Sequence, residues 1–126
     1  MTGNPYKKYK EQSISTMTGG ELLNLLYETC SKRLNTAIIN IEDKRYDLAN
    51  ENIKKAKRII SHLDNTLDRN FEISENLSAL YDFFIRQLTI ANVKKDIQMI
   101  KEIIEMVDEL GGTFKEAEKI ARKSRV

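Results

Sequence analysis

The chain has 126 residues, 32% of them charged, with one Pro, five Gly, no Trp and a formal net charge of +2. That length makes one domain, and the shortage of turn residues beside abundant Leu, Ile, Lys, Glu and Asn favours long amphipathic helices. No apolar run approaches the roughly 20 residues of a membrane span, Met1–Pro5 is too polar for a signal peptide, and Cys30 has no second cysteine to pair with, so a cytoplasmic location is expected.

The positive charge sits at the ends. Residues 1–20 carry net +2 and residues 111–126 net +3, which leaves the body at −3. A nucleic-acid binder concentrates positive charge on its folded face. No nucleic-acid partner and no membrane insertion are therefore expected.

Residues 1–17 lack a clean helical period but carry Tyr6, Tyr9 and Ile14, so they are expected to form an N-terminal arm that rests on the domain. Thr18 and Glu21 then fit a capping box, in which each side chain satisfies the other residue's free backbone N–H. A first helix is expected from there, with Leu23, Tyr27, Cys30, Leu34, Ala37 and Ile41 at alternating spacings of four and three, which keeps one stripe facing a neighbour. Glu42–Arg45 breaks the stripe. It resumes at Ala49, Ile53, Ala56, Ile60, Leu63 and Leu67, and Asp68-Arg69-Asn70 is expected to end the second helix.

Ser74 reads as the N-cap of a third helix with the stripe Leu77, Tyr81, Phe84, Leu88 and Ala91. Lys94-Lys95-Asp96 forms a short turn into a fourth, with Ile97, Ile100, Ile104 and Val107. Gly111 falls on the next seam position, beside Gly112, and each glycine costs about 1 kcal/mol relative to Ala inside a helix. Either the helix stops there or a close neighbour requires the missing side chain. Phe114, Ala117 and Ile120 would then form a loosely attached end. Four helices with short connections predict an all-α, antiparallel up-down-up-down four-helix bundle. The expected organisation is an arm over 1–17, a bundle over 18–121 and a basic tail over 122–126.

The sequence holds more apolar residues than such a core needs. Met99, Ile103, Met106 and Leu110 form a second stripe on the fourth helix, joined by Leu80, Phe83 and Ile90 on the third and Leu22, Leu25 and Ile39 on the first. Surplus apolar surface rimmed by charge marks a partner site, and an amphipathic helix in a groove is the recurring way to fill one. Chemistry, by contrast, lacks its parts. His62 is the only histidine, Cys30 lies on a core stripe, and no Gly-rich phosphate loop or isolated carboxylate appears, so no enzyme activity, cofactor or metal is expected. Lys54, Lys55, Lys57 and Arg58 face away from the seam and read as a solvated face.

The specific residues resemble the flagellin export chaperone family, FliS. The resemblance runs from Asn4-Pro5-Tyr6 and Tyr9 through Thr16, Thr18, Glu21-Leu22 and Leu26-Tyr27. It returns at Asn50, Ile53, Lys55-Ala56, Ile59-Ile60, Leu63 and Leu67, and is densest at Asn76-Leu77, Leu80-Tyr81-Asp82-Phe83, Arg86, Leu88, Ala91-Asn92 and Asp96. It covers about residues 4–110. Gln87 replaces a second basic residue of the family, and Phe114 stands where the family tends to Trp. The resemblance implies a bundle that binds the C-terminal region of newly made flagellin, prevents premature polymerisation and assists its export. It implies the export apparatus and flagellar regulators as further partners. The expected flagellin contacts are Tyr6, Tyr9 and Ile14 on the arm; Tyr27, Asn50, Tyr81, Arg86, Leu88 and Asn92 from the shared motifs; Leu80 and Phe83 from the apolar surplus; and Phe84 from the stripe of the third helix. A regulatory or phosphotransfer-like bundle using His62 is the alternative, disfavoured because Asp64 and Asp68 would repel a phosphate.

Overall fold

A computed structural model describes residues 19–124 of the chain. It contains α1 (Gly19–Glu42), α2 (Tyr46–Asn65), α3 (Ile73–Lys94) and α4 (Ile97–Ser124). Each helix packs on two others, α1 on α2 and α4, and α3 on α2 and α4, while the diagonal pairs scarcely meet. That is the expected up-down-up-down bundle. Thr18 and the arm residues Tyr6, Tyr9 and Ile14 lie outside the described residues.

The 4–3 stripes are the core. All the predicted seam residues from Tyr27 to Ile41, Ala49 to Leu63, Leu77 to Ala91 and Ile100 to Val107 are buried, with Leu23, Leu67 and Ile97 partly buried at its ends. Each large apolar side chain buried there contributes about 1.5–3 kcal/mol of transfer free energy. The four seams are unequal. Cys30 and Ala37 on α1 and Ala49 and Ala56 on α2 are small, and interaxial distance follows side-chain size at the contact. The Cys30 thiol accordingly reaches the Ala56 carbonyl at 3.8 Å, and α1–α2 is the most extensive seam. The seam between α3 and α4, where larger side chains meet, is the thinnest.

Two tight turns at one end of the bundle use lysine where glycine is usual. Lys44 and Lys95 take left-handed conformations, φ 59° and 52°. The next residue's N–H then bonds five residues back, Arg45 to the Asn40 carbonyl at 2.7 Å and Asp96 to the Ala91 carbonyl at 3.0 Å. These bonds satisfy carbonyls that a helix end leaves free. The Asp96 carboxylate also accepts the Met99 N–H at 3.1 Å, capping α4.

Two expectations need correction, and one open alternative is decided. Helix α2 ends at Asn65, before Asp68-Arg69-Asn70. Ser74 is not the N-cap of α3; it is the second helical residue, and its buried hydroxyl donates to the Asp68 carbonyl in the preceding loop. Helix α4 does not fray at Gly111-Gly112. It continues to Ser124 and takes in Arg122–Ser124, the start of the expected basic tail.

The two glycines differ in cause. A Cβ added at Gly111 would stand 3.0 Å from the Tyr27 Cβ and 3.2 Å from its Cγ, whereas one at Gly112 would meet nothing within 4 Å. The close neighbour at Gly111 is thus Tyr27 of α1. Gly112→Ala should raise stability by about 1 kcal/mol through helix propensity alone. Gly111→Ala should give no gain or a net loss, because the Tyr27 Cβ belongs to a buried residue that has little room to move. Urea denaturation of the two variants checks the contrast.

Candidate functional site

Along the α3–α4 seam, two apolar stripes face each other with no third helix over them among the described residues. Leu80 and Phe83 on α3 and Met99, Met106 and Leu110 on α4 are partly buried against the core. A shallow cavity of about 220 Å³ lies between them, lined by Leu80, Met106, Glu109, Leu110 and Thr113. Of the surplus residues expected on this face, Ile103 is instead part of the core, and Ile90 is 42% exposed. On α1, Leu22 and Leu25 are half-buried and Ile39 is 55% exposed, so they do not extend the groove.

The expected contact residues divide by depth. Tyr27, Tyr81, Phe84 and Leu88 are buried in the core, where they pack on their own chain. Leu80 and Phe83 form one groove wall. Arg86 is exposed on α3 and pairs with Asp82 at 3.2 Å, one turn earlier. The Asn50 and Asn92 side chains join α2 to α3, with the Asn92 amide donating to the Asn50 Oδ1 at 2.7 Å. Lys95 Nζ donates to the Asn92 Oδ1 at 2.7 Å. This small network ties the α3–α4 turn to α2.

Behind the groove runs a line of aromatic rings. Phe83 lies 6.3 Å from Phe84, and Phe84 lies 6.5 Å from Tyr81. The Tyr81 hydroxyl shares a hydrogen bond with that of Tyr27 across the diagonal of the bundle, and the Tyr27 ring lies tilted against Phe114 of α4, with centroids 5.6 Å apart. Sequence reasoning assigned Tyr27 and Tyr81 to stripes but could not pair residues 54 positions apart on non-adjacent helices. Phe114, expected on a loosely attached end, is half-buried against the core.

Burial pushes the Cys30 thiol up to about 12, with Asp108 nearby adding to the effect, so it stays protonated. His62 is exposed in the last turn of α2. Among the described residues, no group of three or more His, Cys, Asp or Glu side chains is arranged to hold a metal ion. No described helix is long and apolar enough to cross a membrane.

The sequence as a whole matches the family model described as flagellar protein FliS over residues 2–121. The chain belongs to the FliS family. It is 39% identical over 122 residues to the flagellar secretion chaperone FliS of Bacillus subtilis (strain 168), covering 97% of this chain and 92% of that protein. It is 31% identical to the protein of that name from Vibrio cholerae, over 83% of this chain and 79% of the relative. The Salmonella typhimurium protein is 29% identical over 84% and 81%. The match to the Bacillus protein spans the groove, the diagonal tyrosines and both left-handed turns.

The tyrosine pair makes a pH prediction. Burial raises both phenols above the ordinary value, and the shared hydrogen bond raises Tyr27 further. The fold thus favours the neutral form. The unfolded chain loses these protons first, near the ordinary value of 10.0, so the contribution is complete below that pH and falls as pH rises above it. Melting temperature should therefore decline above about pH 10, less steeply in a Tyr27→Phe/Tyr81→Phe double variant. Tyr27→Phe alone should cost about 1–3 kcal/mol by leaving the Tyr81 hydroxyl unpaired, and the double variant less than the two single losses together.

Proposed function

We propose that this chain is a cytoplasmic flagellar secretion chaperone that holds the disordered C-terminal region of flagellin, keeps it from polymerising early and assists its export. The observation that carries the reading is the α3–α4 groove, whose two partly buried apolar stripes no other described helix covers. Its support is the name shared by the relatives, flagellar secretion chaperone. A disordered segment that folds on binding must offset its ordering cost with a large buried apolar area. An open groove beside the thinnest seam supplies one, and an amphipathic helix is the shape that fills it. Recognition here needs no cofactor or covalent step. The export apparatus and flagellar regulators are further partners in this reading.

A 1:1 complex with flagellin should form and should vanish when flagellin's C-terminal segment is removed, with a large negative heat-capacity change by calorimetry. Met106→Glu should weaken it at least tenfold, since a charge would be buried against the bound helix, a cost above about 1.4 kcal/mol. Unchanged binding by truncated flagellin would overturn the reading.

In the same proposal, Tyr6, Tyr9 and Ile14 of the arm cover the groove while it is empty. Deleting residues 2–15 should raise apolar-dye binding, promote self-association and change flagellin affinity. An arm that only finishes the core would lower the melting temperature and leave affinity unaltered.

A further inference from the structure

The outer face of α2 is built against its own helix. Lys54, Lys55, Lys57 and Arg58 place like charges three and four residues apart, as 54–57, 54–58 and 55–58, and such neighbours repel on a helix surface. Elsewhere the chain does the opposite, with Asp82–Arg86 and Glu118–Arg122 paired one turn apart. The four α2 cations make no ion pair or side-chain hydrogen bond among the described residues. Even Glu51, one turn before Lys55 in the favourable order, does not take it. Across the α1–α2 seam, the Arg33 guanidinium rests on the Asn52 Oδ1 at 3.4 Å, one turn from Lys55, and Lys32 adjoins it on α1. The cations therefore form a strip that repels itself and makes no ion pair among the described residues.

We infer that this α1–α2 strip is a second docking surface, for an acidic helical face of another protein. Charge complementarity selects an acidic partner, and the dimensions select its kind. Lys54 to Arg58 spans little more than one turn, about 6 Å of axis. That suits two or three carboxylates on one helix face; with Lys32 and Arg33 the strip has six cations, only the lower end of the 6–10 phosphate contacts that give nucleic-acid binding its steep salt dependence. No exposed large apolar side chain lies between residues 49 and 63, so the strip offers neither a ring for base stacking nor a wedge for a bilayer. Asp47 and Glu51 close its N-terminal end, which interrupts a polyanion track but leaves room for a short acidic patch. Helix α2 lies diagonally across the bundle from α4. The strip and the α3–α4 groove are thus on different sides and can be filled together, and the inference does not rest on what fills the groove.

The test uses the full chain, isotopically labelled, and a capped helical peptide with glutamates at i, i+4 and i+7 as probe. Amide shifts should centre on residues 54–58 and 32–33 and spare Leu80 and Leu110. Affinity should fall steeply with salt. Lys54→Gln/Arg58→Gln, two exposed positions, should weaken binding about tenfold with the melting temperature held or raised. Arg86→Gln on α3 should leave binding unchanged. The inference is overturned if the shifts lie elsewhere or the double variant binds as well as the parent. Tighter binding of a single-stranded oligonucleotide, or of phosphatidylglycerol vesicles, than of the peptide would overturn it equally.

Discussion

The hydroxyl bridge between Tyr27 and Tyr81 sets the width of this bundle. Its partners stand on α1 and α3, helices that otherwise scarcely touch, so the bridge fixes a diagonal. A buried phenol without a partner would cost more than its bond returns, and each tyrosine can therefore occupy the centre only because the other does. Tyr27 also has to pass α4, and it does so where Gly111 removes a side chain. The sequence feature that looks like a helix breaker is thus a notch cut for a tyrosine three helices earlier in the chain.

From that centre the packing grades outward. Small residues draw α1 and α2 together, and the Cys30 thiol closes on the Ala56 carbonyl. On the other side, Leu80, Phe83, Met106 and Leu110 are too bulky to close over and too few to fill the space, which leaves a groove. Aromatic contacts connect the two regions: Phe83 on the groove wall leans on Phe84, and Phe84 on Tyr81. The groove therefore has a rigid back and an adaptable front, where both described methionines stand. Methionine's unbranched, polarizable side chain suits a surface that must conform to a partner.

How much of this could be read in the sequence depended on the range of each interaction. The stripes were legible residue by residue, because 4–3 spacing is a local consequence of helix geometry. The surplus on α3 and α4 was legible as an excess, though Ile103 sits close enough to the seam to be taken into the core. The turns were not, since Lys44 and Lys95 adopt the left-handed region where a reader looks for glycine. Ser74 misled for a related reason: its hydroxyl does bind backbone, but in the loop before the helix. Tyr27, Tyr81, Phe84 and Leu88 carry the family resemblance and lie in the core. A recurring motif marks positions under constraint without saying whether the constraint is packing or contact.

The inequality of the seams has a further consequence for how the molecule opens. Local unfolding proceeds where the fewest buried contacts must be broken. In this chain that is the α3–α4 edge, while the α1–α2 hairpin, closed by small residues and a three-residue turn, gives way last. Amide protons on the groove-facing turns of α3 and α4 should therefore exchange with solvent through an excursion that leaves α1 and α2 protected. A bundle with four equal seams would have to unfold as a whole to open at all; this one can part along a single line and close again.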